Sequence, residues 1–168
     1  MSDKIEYTEL PIEAFKGKLF ESEEVVFFSY VDAYGHLNSA KYLEMVLNHR
    51  VHALEKTIQC FTLDLLKASG IGLVIANSNV NYVKPSFQSE TLLIQSWVHE
   101  LQEVSFVVEF QILEKSSKQL RANGSLKCVS VDLKTHKTCQ LPKFMPSRGR
   151  KQDLLNLPER PSVAKGLR

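Results

Sequence analysis

From Asn38 to about Lys56 the chain carries a helical pattern that is apolar over most of its circumference. With successive residues about 100° apart, Lys41, Glu44, Asn48, His52 and Glu55 gather into one narrow polar stripe. Ala40, Tyr42, Leu43, Met45, Val46, Leu47, Val51, Ala53 and Leu54 occupy the rest. Such a helix is stable only when other parts of the chain cover it on most sides, so it is central to the fold. Asn38 and Ser39 are both good N-caps for it. Arg50 falls inside the apolar arc. A guanidinium there needs a carboxylate or several carbonyls, because an unpaired buried charge is costly.

The wrapping material is β-structure. One strand candidate, Glu23–Val31, precedes the helix. Four more follow at Leu73–Val83, Thr91–Glu100, Val104–Leu113 and Leu120–Leu133. In the third of these, Val104, Phe106, Val108, Phe110 and Ile112 alternate with polar positions such as Ser105, Glu109 and Gln111. A short helix over Thr62–Ser69 stops at Gly70. Successive strands without intervening helices favour antiparallel pairing. The expected class is α+β, a curved antiparallel sheet of about five strands wrapped around one long central helix. Residues 1–19, with Pro11 and Gly17, read as a loosely structured lead-in, and 20–142 as the folded domain. Residues 143–168 read as a basic, proline-containing tail with Arg148, Arg150, Lys151, Arg160, Lys165 and Arg168. It is expected to be mobile or draped on the surface, the alternative being an arm for a polyanion.

A chain of 168 residues is long enough for one well-packed domain. Its net charge of +2 gives no strong pull toward nucleic acid or a membrane surface. No apolar run approaches the ~20 residues that cross a bilayer, and no leading segment reads as a signal peptide. Cys60, Cys128 and Cys139 are odd in number and far apart, which suits reduced thiols in the cytoplasm.

The chemistry-bearing stretch is Asp32-Ala33-Tyr34-Gly35-His36-Leu37-Asn38-Ser39-Ala40-Lys41-Tyr42. Asp32 follows the apolar run Val25–Val31 and lies directly ahead of the helix, where carboxylates meet backbone N–H donors. His49 and His52 have metal-ligand spacing, but no Cys or carboxylate pattern completes a site, so no metal is expected. Gly70-Ile71-Gly72-Leu73 is not a nucleotide loop, because Ile75 takes the third glycine position. No G-x-S-x-G nucleophile elbow is present. Asn123-Gly124-Ser125 matches a glycosylation sequon but reads better as a kink or bulge.

The Asp32-x-x-Gly35-His36-Leu37-Asn38-Ser39-Ala40-x-Tyr42 segment, with Arg50 beyond it, resembles hotdog-fold thioesterases of the 4-hydroxybenzoyl-CoA type. Asn81-Tyr82-Val83-Lys84-Pro85 and Val104-Ser105-Phe106 extend the resemblance over roughly 20–142. It implies hydrolysis of acyl-CoA without metal or organic cofactor, Asp32 acting as general base or nucleophile. His36 is the accompanying catalytic candidate. A backbone N–H near Gly72, offered across a subunit interface, is the expected oxyanion donor. Asn38, Tyr42 and Ser105 are candidate substrate contacts. Two departures stand out: Asn38-Ser39 replaces a common Asn-Asn, and Gln102-Glu103-Val104 replaces a basic cluster used for CoA phosphates. Lys115, Lys118 and Arg121 are therefore candidate phosphate contacts, as are the tail arginines. The resemblance also implies a homodimer or homotetramer, since one sheet leaves open edges. Other readings are a thioesterase for acyl carrier protein, an acyl-ligand binding protein without turnover, and a hotdog dehydratase.

Overall fold

The computed structural model describes residues 6–161. Its centre is α1, Ser39–Ile58, whose N-cap Asn38 accepts the Ala40 N–H and whose C-cap Gln59 is left-handed. Tyr42, Met45, Val46, His49, Ala53 and Ile58 are its buried positions. They face the sheet, while Leu47 and Val51 remain exposed although they belong to the apolar arc. The helix is thus covered on one broad side within the chain and not all round. A second helix, α2 (Thr62–Ser69), ends at Gly70, where φ is +70°.

Strands β2 (Phe20–Val25), β3 (Ile71–Tyr82), β4 (Thr91–Leu101), β5 (Ser105–Glu114) and β6 (Leu120–Asp132) form one antiparallel sheet ordered β2-β4-β5-β6-β3. The short β7 (Lys137–Thr138) adds to β6. Alternation places Leu92, Ile94, Val108, Phe110, Ile112, Ala122 and Leu126 against α1 in one core. This is the hotdog arrangement, and four of the five expected strands fall within two residues of their sequence positions. Gly124 is required by close approach. A Cβ there would stand 1.9 Å from the Asn79 carbonyl oxygen and 2.8 Å from the Phe110 ring.

The strand ahead of the helix differs from expectation. Pairing along β2 runs only from Phe20 to Val25, and a 3-10 turn follows at Phe28–Tyr30. Phe27 and Phe28 are exposed, the latter at 78%, so the aromatic run is a surface feature and not the inside of a strand. An apolar run reports an apolar environment, and within one chain that environment is missing here.

The two terminal segments also differ from expectation, because they pair with one another. Strand β1 (Thr8–Pro11) runs antiparallel to β8 (Phe144–Ser147). Leu10, Met145 and, from the short helix α3 (Lys151–Leu155), Leu154 are buried in the common core. Arg148 forms an ion pair at 2.9 Å with the buried Asp64 of α2 and stacks on Phe61. The tail is thereby fastened across α1 and α2. Lys165 and Arg168 lie outside the described residues. No helix among the described residues is long and apolar enough to cross a membrane.

Candidate active site

The Asp32–Asn38 loop is built by its own backbone. Gly35, at φ +79°, allows the tight reversal in which the Gly35 N–H donates to Asp32 O and the Asp32 N–H to His36 O. That reversal turns the Tyr34 and His36 N–H groups onto Asp32 Oδ1, at 2.8 and 3.1 Å. Leu37 N–H donates to Ser86 O and Asn38 N–H to Tyr30 O, which tie the loop to both neighbours. One carboxylate oxygen is thus fixed. Among the described residues, no hydrogen bond is made by Oδ2. A charge-assisted pair of backbone donors holds the carboxylate in place without a second ionisable group.

Asp32, His36, Leu37, Ser39, Tyr42, Tyr82, Val83, Lys84 and Pro85 line an open cleft of about 310 Å³. Tyr42 is buried, and its hydroxyl both donates to Ser86 Oγ (3.0 Å) and accepts the Ser86 N–H (3.1 Å). Burial pushes its phenol above the ordinary value. Tyr82 packs edge-on against Tyr42, its hydroxyl donating to Ser39 O at 2.9 Å. The cleft floor is therefore rigid, and it opens at the positive end of α1. The His36 ring meets Phe87 edge-on and makes no side-chain hydrogen bond to Asp32; its contribution to the carboxylate is its backbone N–H.

The other expected site residues fall into three groups. Asn38 is exposed and acts as the helix cap. Gly72 and Ser105 lie away from the cleft within the protomer. Gly72 is at the start of β3, ten residues or ~30 Å of strand from Tyr82. The Gly72 N–H is also turned inward. Leu133 N–H donates to Gly70 O, so the bonded pairs are Gly70/Leu133 and Gly72/Val131. The outward N–H groups there belong to Ile71 and Leu73. Ser105 is 3% exposed and closes the β4–β5 turn by donating to Gln102 Oε1.

Of the three phosphate candidates outside the tail, Arg121 is corrected. It is buried, pairs with Glu90 at 2.7 Å and donates to Pro85 O at 2.8 Å, and so braces the cleft wall from behind. Lys115 is paired with Glu23 at 2.7 Å, and Lys118 is exposed on the β5–β6 hairpin, at the same end of the sheet as the cleft. The cation that lines the cleft itself is Lys84. Sequence reasoning passed over it, although Lys84-Pro85 at a strand end marks a cation on a stiffened turn.

Residues 26–149 match the family model described as thioesterase-like superfamily. The chain belongs to that superfamily. A curated relative, the long-chain acyl-CoA thioesterase FadM of Escherichia coli, is 31% identical over 112 residues, covering 67% of this chain and 83% of FadM. Among solved structures, the probable thioesterase YbaW of Escherichia coli is 28% identical, with TM-score 0.65 over 73% of this chain and 90% of that one. Slr0204 of Synechocystis, a 1,4-dihydroxy-2-naphthoyl-CoA thioesterase, superposes with TM-score 0.68 at 18% identity, over 74% and 90% of the two chains. The hotdog thioesterase fold thus spans the sheet, α1 and the Asp32 loop together. The matched span also includes β8.

Proposed function

We propose that this protein hydrolyses acyl-CoA thioesters in the cytoplasm, with the Asp32 carboxylate as general base or nucleophile. The observation that carries the reading is the single-oxygen anchoring of Asp32 at the mouth of a cleft on the N-terminus of α1. With Oδ1 immobilised, Oδ2 is the atom that takes a proton from water, or attacks the thioester carbon, without losing a structural contact. The oxyanion then forms beside the first turn of α1, where the Ser39 N–H and the helix dipole favour negative charge. On the general-base route the departing thiolate takes up the proton held by Asp32 and leaves the free acid; on the nucleophilic route it leaves a mixed anhydride with Asp32 that water then opens. Lys84 attracts the phosphates of the CoA moiety.

The functional unit we infer is at least a dimer. Among the described residues, strand β3 is an open edge over twelve residues, with Val74 and Ile75 more than 40% exposed. Phe27, Phe28, Tyr34 and Phe87 form further exposed apolar surface around the cleft. Antiparallel pairing of β3 with a second copy sets the start of one strand against the end of the other. With the pairing confined to the middle of the strand, the outward N–H of Leu73 of the partner subunit stays unpaired on the Asp32 side, in the role first assigned to Gly72.

The test is thioester hydrolysis by the purified chain on a graded series of acyl-CoAs, with Asp32→Asn in parallel. Turnover lost in the variant supports the reading. Turnover on none of them, with turnover on acyl carrier protein thioesters, would replace CoA as the donor. Turnover unchanged by Asp32→Asn would remove the carboxylate from the mechanism.

A further inference from the structure

We propose that Arg50 heads an interior pocket for the carboxylate of an aliphatic acid, set within each protomer at the opposite end of β3 from that protomer's own Asp32 cleft. The guanidinium points between α1 and the sheet, where its Nη1 donates to Ser96 Oγ at 3.0 Å and its plane lies 5.5 Å from the Phe20 ring centre. Among the described residues no carboxylate stands within ion-pair distance of it. The nearby thiols supply no anion either. Burial pushes Cys60 up to about 12 and Cys128 up to about 11, so both are protonated at neutral pH. Burial lowers Arg50 only to about 10, which leaves it a cation under the same conditions.

A guanidinium has five N–H donors, and one serine and one ring face do not satisfy them. No Arg50 nitrogen belongs with the closed-off, unpartnered polar atoms of the interior, which are Asp64 Oδ2 and Arg121 Nε. Its unused donors therefore open onto space. That space is a pocket of about 40 Å³ whose other walls are apolar, including Phe15, Leu54, Leu73, Leu101 and Phe106. The volume suits one carboxylate, being larger than the ~10–15 Å³ cavity that holds a single water. The walls suit methylenes: Leu54, Leu73, Leu101 and Phe106 are only half-buried and can flank a chain leaving the pocket. A cation in apolar walls selects an anion on an apolar body, because the charge pairs with Arg50 while the carbons leave water. Leu73 sits at the opposite end of β3 from Tyr82, so this pocket and the Asp32 cleft are distinct within a protomer. Carboxylates of this class have two sources, a free fatty acid and the distal carboxylate of a dicarboxylic acyl group.

Calorimetric titration of the full chain with octanoate and with 1-octanol decides the matter without reference to hydrolysis. Octanoate is expected to bind at least tenfold more tightly, and Arg50→Met to abolish that preference at unchanged secondary structure. Equal affinity for the two ligands, or a preference that survives in folded Arg50→Met, would overturn the site. Should Arg50→Met fail to fold, the wild-type octanoate-to-octanol ratio still decides. Turnover of suberoyl-CoA against octanoyl-CoA separates the sources. A suberoyl preference removed by Arg50→Met identifies the distal carboxylate of an acyl group, whereas octanoate binding without that preference identifies the free acid.

Discussion

Asp32, just ahead of α1, and Arg50, midway along it, are opposite charges held in opposite ways. Asp32 is held by two backbone N–H groups of a short surface loop, and one oxygen stays open to the cleft. Arg50 lies inside, in a chain of side chains running Ser22–His49–Ser96–Arg50. There His49 Nδ1 meets Ser22 Oγ at 2.7 Å and Nε2 meets Ser96 Oγ at 2.8 Å. A loop that satisfies its own backbone can position a charge with little consequence for the core. A charge seated among side chains ties its environment to the stability of the whole domain.

The sharpest way to break this comparison is Asp32→Asn. It keeps the two backbone bonds but removes the proton acceptor, so kcat should fall by ~10²–10⁴-fold, while the melting temperature stays nearly unchanged. A large loss of stability instead would show that Asp32 is structural. Ser96→Ala is the mirror experiment. It leaves Arg50 Nη1 and His49 Nε2 without partners in the interior and should cost about 3 kcal/mol in urea unfolding, with a smaller effect on kcat.

Third in size is a pH effect. Burial, aided by the Arg50 charge, lowers His49 from 6.5 to about 3. The unfolded chain binds a proton at His49 between those values and the folded chain does not, so stability declines as pH falls through 6.5 toward 3. From pH 6.5 to pH 5 this contributes about 2 kcal/mol of loss. His49→Gln should remove that increment from the difference in urea midpoints between pH 5 and 7. The smallest expected change is Lys84→Ala. At an exposed site one phosphate contact is worth about 1 kcal/mol, so KM for CoA esters should rise about fivefold with kcat retained. The rise should fade at high salt, and with pantetheine thioesters lacking the phosphates.

Much of this architecture was legible in the chain. The α1 boundaries follow from the Asn38 cap and the helical period, and β3 to β6 follow from alternation between turn signals. The Asp32 position could be read because its turn is local: Gly35 and the carboxylate sit within five residues, and their hydrogen bonds join near neighbours. What failed to read were partners distant in sequence. Arg121 resembles a surface cation until Glu90 and Pro85 close on it. Phe27 and Phe28 resemble a buried strand until the fold leaves them at the surface. Strand register decides that Leu73, and not Gly72, turns its N–H outward.

By itself, then, the sequence determined the helix, the four later strands and the loop carrying Asp32, since periodicity, capping and turn chemistry act over a few residues. Tertiary structure alone decided that β1 pairs with β8, that Lys84 faces the cleft, and that Arg50 meets no carboxylate among the described residues. Each of these depends on groups brought together from far along the chain. Burial and ion pairing are properties of that assembly, and no local pattern encodes them.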